Sequence, residues 1–288
     1  MADEPDFPTI NQHLPDMMAF ALSLTRDYQS GELSSWQALT QRVDAFFSPA
    51  MLDQVENVAP GWPEMAARGK GLTQVHVMCA FIGLLTCPEF KRASRAQQEL
   101  AKWVVLFHDI AKQVEPGKPD RIHAFRSATT AAVALPIIGF EVTTNHASHC
   151  EEWCALVRAA NIQLGDRHTA YPIQDNGQLP RIIEGIGQMF GHGSPAALII
   201  KTVLLHHSIT MLEQYPVAAP LTEYETGHYL DRDLLTLLKL MSLADSDGWE
   251  LFLPTTRERY RQLTLAVFDK LESRESEPGP ESWENLRL

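Results

Sequence analysis

Apolar positions recur at helical spacing from the first segment to the last. Residues 14–29 ("LPDMMAFALSLTRDYQ") and 33–47 ("LSSWQALTQRVDAFF") predict two amphipathic helices joined by a short turn at Gly31. The first has Pro15 near its start, where proline is tolerated. Residues 48–71 carry Pro49, Pro60, Gly61, Pro63, Gly69 and Gly71 and read as a connecting segment. Helices are predicted next over 72–86, 95–113, 123–140 and 147–161, with a loop at 115–121 and a long polar connection at 162–178. "LPRIIEGIGQMF" and "SPAALIIKTVLLHHSI" follow as helices, the second with Ser194 as N-cap and Pro195 at its first position. Residues 214–230 read as another loop, and 233–249 and 256–275 as the closing helices. No period-two alternation, internal repeat or low-complexity block stands out. The expected fold class is therefore all-α, a single domain over 1–288 that buries its sites between facing helices.

One stretch sharpens this picture. In "WVVLFHDIAKQV" (103–114) an apolar run leads straight into His108 and Asp109, with Lys112 just beyond. Burying such groups is costly unless something pairs with them. The same setting recurs along the chain. His76 sits within "TQVHVMCAF", His123 opens a small-residue helix, His206 and His207 follow "LIIKTVLL", and Asp245 ends "LLKLMSLAD". Imidazole nitrogens and carboxylate oxygens form a ligand set for Fe, Mn, Co, Ni or Zn, with Mg admissible. A metal would neutralise the carboxylates and satisfy the imidazoles.

The order H…HD…D, with "HDIAK" in the middle, resembles the HD-domain superfamily of metal-dependent phosphohydrolases. His76, His108, Asp109 and Asp245 match its core, and the likeness spans roughly residues 70–250. Some branches carry further histidines between the doublet and the last Asp and bind two metals. His123 and His206 or His207 match that pattern, and sequence does not say which of the last two binds. The chain departs from the cyclic-dinucleotide phosphodiesterase branch, because no Gly-Tyr-Pro follows the double histidine. The long gap before Asp245 holds residues 141–195, which read as an inserted helical cap, and extra helices precede the core.

The resemblance implies hydrolysis of a small phosphate ester, a nucleotide or dinucleotide, by metal-activated hydroxide. Metal coordination brings the pKa of water towards ~7, and two ions about 3.5–4 Å apart clamp both oxygens of a displacement. Asp109 is the natural bridge between two ions. Lys112, one turn on, is expected to hold a phosphate oxygen as a point charge, and Arg126, three residues after His123, to do likewise. Both also read as ordinary surface charges. Asp245 is preferred over Asp247, which reads as a solvent-facing cap. His146, Cys150 and Cys154 carry zinc-ligand chemistry, but a single helix cannot surround a tetrahedral ion. His192 reads as a turn residue between glycines. Two alternatives stay open: a non-catalytic regulatory module that binds a nucleotide, and a di-iron oxygenase using the same ligand order.

Charge narrows the partners. The net charge of −12 disfavours long nucleic acid and anionic membranes, leaving a small phosphorylated substrate. The four cysteines make no secreted disulfide framework. "MADEPDFPTI" has neither a basic nor an apolar targeting region, so the expected location is cytoplasmic.

Overall fold

A computed structural model describes residues 5–113, 120, 122–165, 177–209 and 220–275. Among these the chain is helical, with no strand. Helix α1 (Ile10–His13) runs into α2 (Pro15–Ser30), which ends at Gly31 with φ of 83°. Positive φ is the conformation glycine takes at least cost. Helix α3 (Trp36–Phe46) starts from Ser35, whose hydroxyl accepts the Ala38 N–H at 3.2 Å.

The segment expected as a connector, 48–71, is mostly helical. It forms α4 (Pro49–Glu56), α5 (Trp62–Ala67) and a 3₁₀ turn (Arg68–Gly71). Two of its prolines are starters rather than breakers, while Pro60 lies in the turn between α4 and α5. Pro49 follows the cap residue Ser48, and Pro63 lies in the first turn of α5. First-turn N–H groups have no helical acceptor, so proline forfeits nothing there.

Next come α6 (Leu72–Thr86), α7 (Pro88–Arg92) and α8 (Arg95–Phe107). The helix expected over 95–113 stops at Phe107, and residues 108–111 form a turn. Then follow α9 (His123–Ile137), α10 (His146–Gly165), α11 (Leu179–Phe190), α12 (Pro195–Leu205), α13 (Glu223–Tyr229), α14 (Arg232–Glu250) and α15 (Pro254–Glu275). Helix α13 falls in the segment expected as a loop. Its signature was there to read: Thr222 and Glu225 form a capping box. Residues 210–219, most of 115–121, and 166–176 of the long polar connection lie outside the described residues.

Helices α6 and α14 make the most extensive contact in the fold. Helices α8 and α12 pack against α14, and α9 packs against α12. Helices α2 and α3 cover α6, while α10 and α11 pack on each other and on α9 and α12 respectively. Two glycines let α6 and α14 approach closely. A Cβ at Gly83 would lie 2.9 Å from Asp247 Oδ2, and one at Gly248 would lie 2.5 Å from His76 Nδ1. Among the described residues no helix is long and apolar enough to cross a membrane.

Asp247 is not the solvent-facing cap that its sequence position suggested. It is buried and grips Arg257 of α15 through two bonds, Nε to Oδ1 at 2.7 Å and Nη2 to Oδ2 at 2.6 Å. Arg257 also donates to Tyr28 Oη at 3.0 Å, tying α2 to α15. Removing one partner of a buried pair strands the other. Arg257→Ala is therefore expected to cost about 3 kcal/mol and to lower the melting temperature by roughly 10 °C. A thermal melt followed by circular dichroism checks this, and an unchanged midpoint would mean that the pair adds nothing.

Candidate metal centre

Five chain segments converge on one point between α6 and α14. His76 comes from the interior of α6, and Asp245 from α14. His108 and Asp109 occupy the turn after α8, His123 is the first residue of α9, and His206 and His207 form the turn after α12. All seven expected ligands are therefore brought together.

They divide into two halves. In the first, His76 Nε2 lies 3.3 Å from His108 Nε2, 3.0 Å from Asp245 Oδ1 and 3.4 Å from Asp109 Oδ2. His108 Nε2 is 3.6 Å from Asp109 Oδ2 and 3.8 Å from Asp245 Oδ1. In the second half, His123 Nε2 is 3.3 Å from His206 Nε2 and 2.8 Å from Asp109 Oδ1. His207 completes this group, within 4.8 Å of both His123 and His206, and its Nε2 is 3.9 Å from Asp245 Oδ2. Each oxygen of Asp109 thus faces a different half. The sequence left open whether His206 or His207 contributes, and the turn geometry brings both.

The tautomers show what these groups are arranged for. His108 Nδ1 donates to the Val105 carbonyl at 2.8 Å, His206 Nδ1 to the Val203 carbonyl at 2.7 Å, and His123 Nδ1 to the Asp120 carbonyl. In every case the acceptor lies three residues back. His108 and His206 follow helix C-termini, where backbone carbonyls lack helical donors, and the Asp120 carbonyl lies ahead of the helix that His123 opens. With the proton on Nδ1, each Nε2 presents a lone pair, the orientation of a metal-binding imidazole. His123 and His206 bring their Nε2 atoms within 3.3 Å of each other in a buried space. With both protons on Nδ1, that arrangement repels unless a cation lies between them. His207 Nε2 also has no hydrogen-bond partner among the described residues.

Three of these imidazoles resist a proton. Burial pushes the His206 pKa well below the ordinary imidazole value and lowers that of His108, with neighbouring imidazoles adding to the effect. His207 is pushed down to about 4 by burial and by His123. Burial would raise both carboxyls, but Lys112, His108 and His123 hold Asp109, and His76, His108 and His207 hold Asp245, well below the usual range. Imidazoles gathered round ionised carboxylates, with burial disfavouring a proton on His108, His206 and His207, are a donor set that fits divalent metal.

The centre opens to solvent on one side. The His76, His108, Asp109 and His123 side chains are 0–2 % exposed, whereas those of His207, Asp245 and Lys112 are 37 %, 21 % and 18 % exposed. Trp249 borders the same side, with Lys112 Nζ 5.7 Å from its ring centre. Lys112 donates to Asp109 Oδ2 at 2.6 Å. Burial works against its charge, but Asp109 and Asp245 more than offset this and raise its pKa.

Arg126, expected at a phosphate oxygen, is committed to protein groups. It pairs with the Asp120 carboxylate and donates from Nε to the Ala111 carbonyl at 3.2 Å. It thereby steadies the residue whose carbonyl orients His123. His146, Cys150 and Cys154 do not gather as ligands. His146 packs on Phe190 with ring centres 5.1 Å apart, and burial and Cys150 push the Cys154 thiol up to about 12. His192 is exposed beside Glu184. Sequence reasoning missed the three carbonyl acceptors, which leave no side-chain signal, and the Gly248–Trp249 pair.

No protein-family model, curated protein or solved structure matches this chain.

Proposed function

We propose that the protein is a two-metal phosphohydrolase of the HD-domain kind, acting on a small phosphate ester such as a nucleotide or dinucleotide. One observation carries this reading: imidazoles anchored at Nδ1 on backbone carbonyls turn their Nε2 atoms inward around a single buried carboxylate whose two oxygens face different sides. His76, His108, Asp109 and Asp245 would hold one ion, and His123, His206, His207 and Asp109 the other. Bound divalent ions supply charge neutralisation and a water acidic enough to serve as nucleophile near neutral pH.

The chain's own residues do the rest. Asp109 fixes the separation of the two halves because its oxygens point to different sides. The buried walls exclude water, which strengthens every charge interaction within. Lys112, at the open side, supplies a cation where a phosphate oxygen would enter. Phosphoryl transfer depends on positioning and charge stabilisation more than on covalent chemistry by the protein.

The test is metal analysis of freshly purified protein, then turnover of phosphomonoesters, phosphodiesters and nucleotides with Mn, Co, Ni or Mg. About two ions per chain and turnover of one substrate class support the reading. Metal-loaded protein that turns over none of them sinks it, and two irons with oxygen uptake on an organic substrate would favour the oxygenase. Lys112→Ala is expected to keep its metal and lose rate on the order of 10²-fold. An unchanged rate would limit Lys112 to its pairing with Asp109.

A further inference from the structure

His76 differs from its fellow ligands. His108, His123 and His206 each anchor Nδ1 on a carbonyl three residues back. His76 lies in the interior of α6, where the nearby carbonyls are taken by the helix's own N–H groups. Its Nδ1 is buried without a hydrogen-bond partner among the described residues. Metal-binding histidines almost always have such a partner, because it fixes the ring. Something else must hold this imidazole.

The neighbours of the ring supply it. The Trp249 indole stacks on His76, with ring centres 4.3 Å apart and planes inclined by 22°. Trp36 of α3 stacks on Trp249 in turn, at 5.8 Å and 11°. Gly248 lies directly against the imidazole, where a Cβ would fall 2.5 Å from Nδ1. Trp249 is four residues after Asp245 and so on the same face of α14. It is also 42 % exposed, so the indole reaches solvent while one face lies on the imidazole.

We infer that Trp249, backed by Trp36 and admitted by Gly248, is the positioning residue for the His76 imidazole, so that the helices preceding the core take part in building the first half of the metal centre. This rests on the metal-binding reading of the site. Stacking fixes the ring plane, Gly248 sets its depth, and Asp245 and Asp109 determine which nitrogen faces inward. The expected helix–helix packing alone would not require an aromatic column from α3 through α14 to a ligand of α6.

The test uses the full chain and cobalt(II) alone as probe, read by binding titration and tryptophan emission. The wild type is expected to bind two cobalt ions, with emission quenched as the first half fills. Trp249→Leu should weaken one of the two sites on the order of 10-fold, the size of a typical supporting-shell loss, and leave the other unchanged. Trp249→Phe should restore most of that affinity while losing the quench, because it keeps the stack but not the indole. Trp36→Leu, which touches no ligand, should shift the same site in the same direction by a smaller factor, and it stands in if Trp249→Leu fails to fold. Two wild-type affinities in both Trp249→Leu and Trp36→Leu would overturn the inference while leaving the metal centre intact. A wild type that binds no cobalt would overturn the metal reading, and this inference with it.

Discussion

Asp109→Ala protein is expected to emerge with neither metal ion and without turnover. The carboxylate is fully buried, and its two oxygens face different halves: Oδ2 is 3.4 Å from His76 Nε2, and Oδ1 is 2.8 Å from His123 Nε2. Among the described residues no other carboxylate lies between the halves as closely, since Asp245 Oδ2 reaches only to 3.9 Å from His207. The substitution also frees Lys112, which donates to Asp109 Oδ2, to stand as an unpaired cation beside the imidazoles. Repulsion is thereby added to the loss of a ligand. His123→Ala should behave differently. It touches one half only, so it should keep about one ion, retain the fold and lose most activity. Metal content by plasma mass spectrometry, beside circular dichroism, separates the cases. Wild-type metal in Asp109→Ala would refute its bridging role, and full activity with one ion in both wild type and His123→Ala would leave a one-metal site.

Removing the ions should destabilise the whole protein, and acid should destabilise the chelated protein further. An ion that binds only the folded chain contributes about 4 kcal/mol at a thousand times its dissociation constant. Two ions should therefore raise the melting temperature by more than roughly 10 °C. For pH, His207 is at about 4 when folded, against an ordinary 6.5, so between these values the unfolded chain binds the extra proton. His206 and His108 shift in the same direction, for the same reason of burial. Their contribution is complete above pH 6.5 and is lost as the pH falls below it. The depressed carboxyls of Asp109 and Asp245 add a second loss below their ordinary value of 3.8. Melting temperatures in chelator should therefore hold level from pH 8 to about 6.5 and fall with acid from there to pH 4. A rise between pH 7 and 5 would mean that protonated imidazoles pair with the carboxylates and that no metal is needed.

Much of this was legible in the chain, and the gaps have physical causes. The seven residues that gather at the candidate centre could be picked out because each places a polar group at an apolar helix, a cost that asks for a reason. Helix existence was readable from spacing, but helix ends were not. The 95–113 pattern continues past Phe107 because the turn at 108–111 keeps near-helical backbone, with His108 at φ −55° and ψ −40°. Proline misled at 48–71, where Ser48 and Pro49 together mark a start rather than a break. Asp247 was misread because its partner, Arg257, sits on another helix, and periodicity carries no information about pairs. Gly248 did leave a trace. A glycine inside a predicted helix costs about 1 kcal/mol and so flags a close approach, but the sequence cannot say to what.

The carbonyls that orient His108 and His206 belong to the last turns of α8 and α12. Fraying of either turn would release the acceptor and let the imidazole rotate, so assembly of the centre and the integrity of those helix ends are one event. The His108 amide, bonded to the Val104 carbonyl at 2.9 Å, sits at that junction. Its exchange with solvent deuterium should slow sharply when metal binds, whereas amides in the middle of α2, remote in the chain from any ligand, should gain protection only through global stability. Amide exchange at a helix terminus would then report the filling of a buried inorganic centre without any signal from the ion itself.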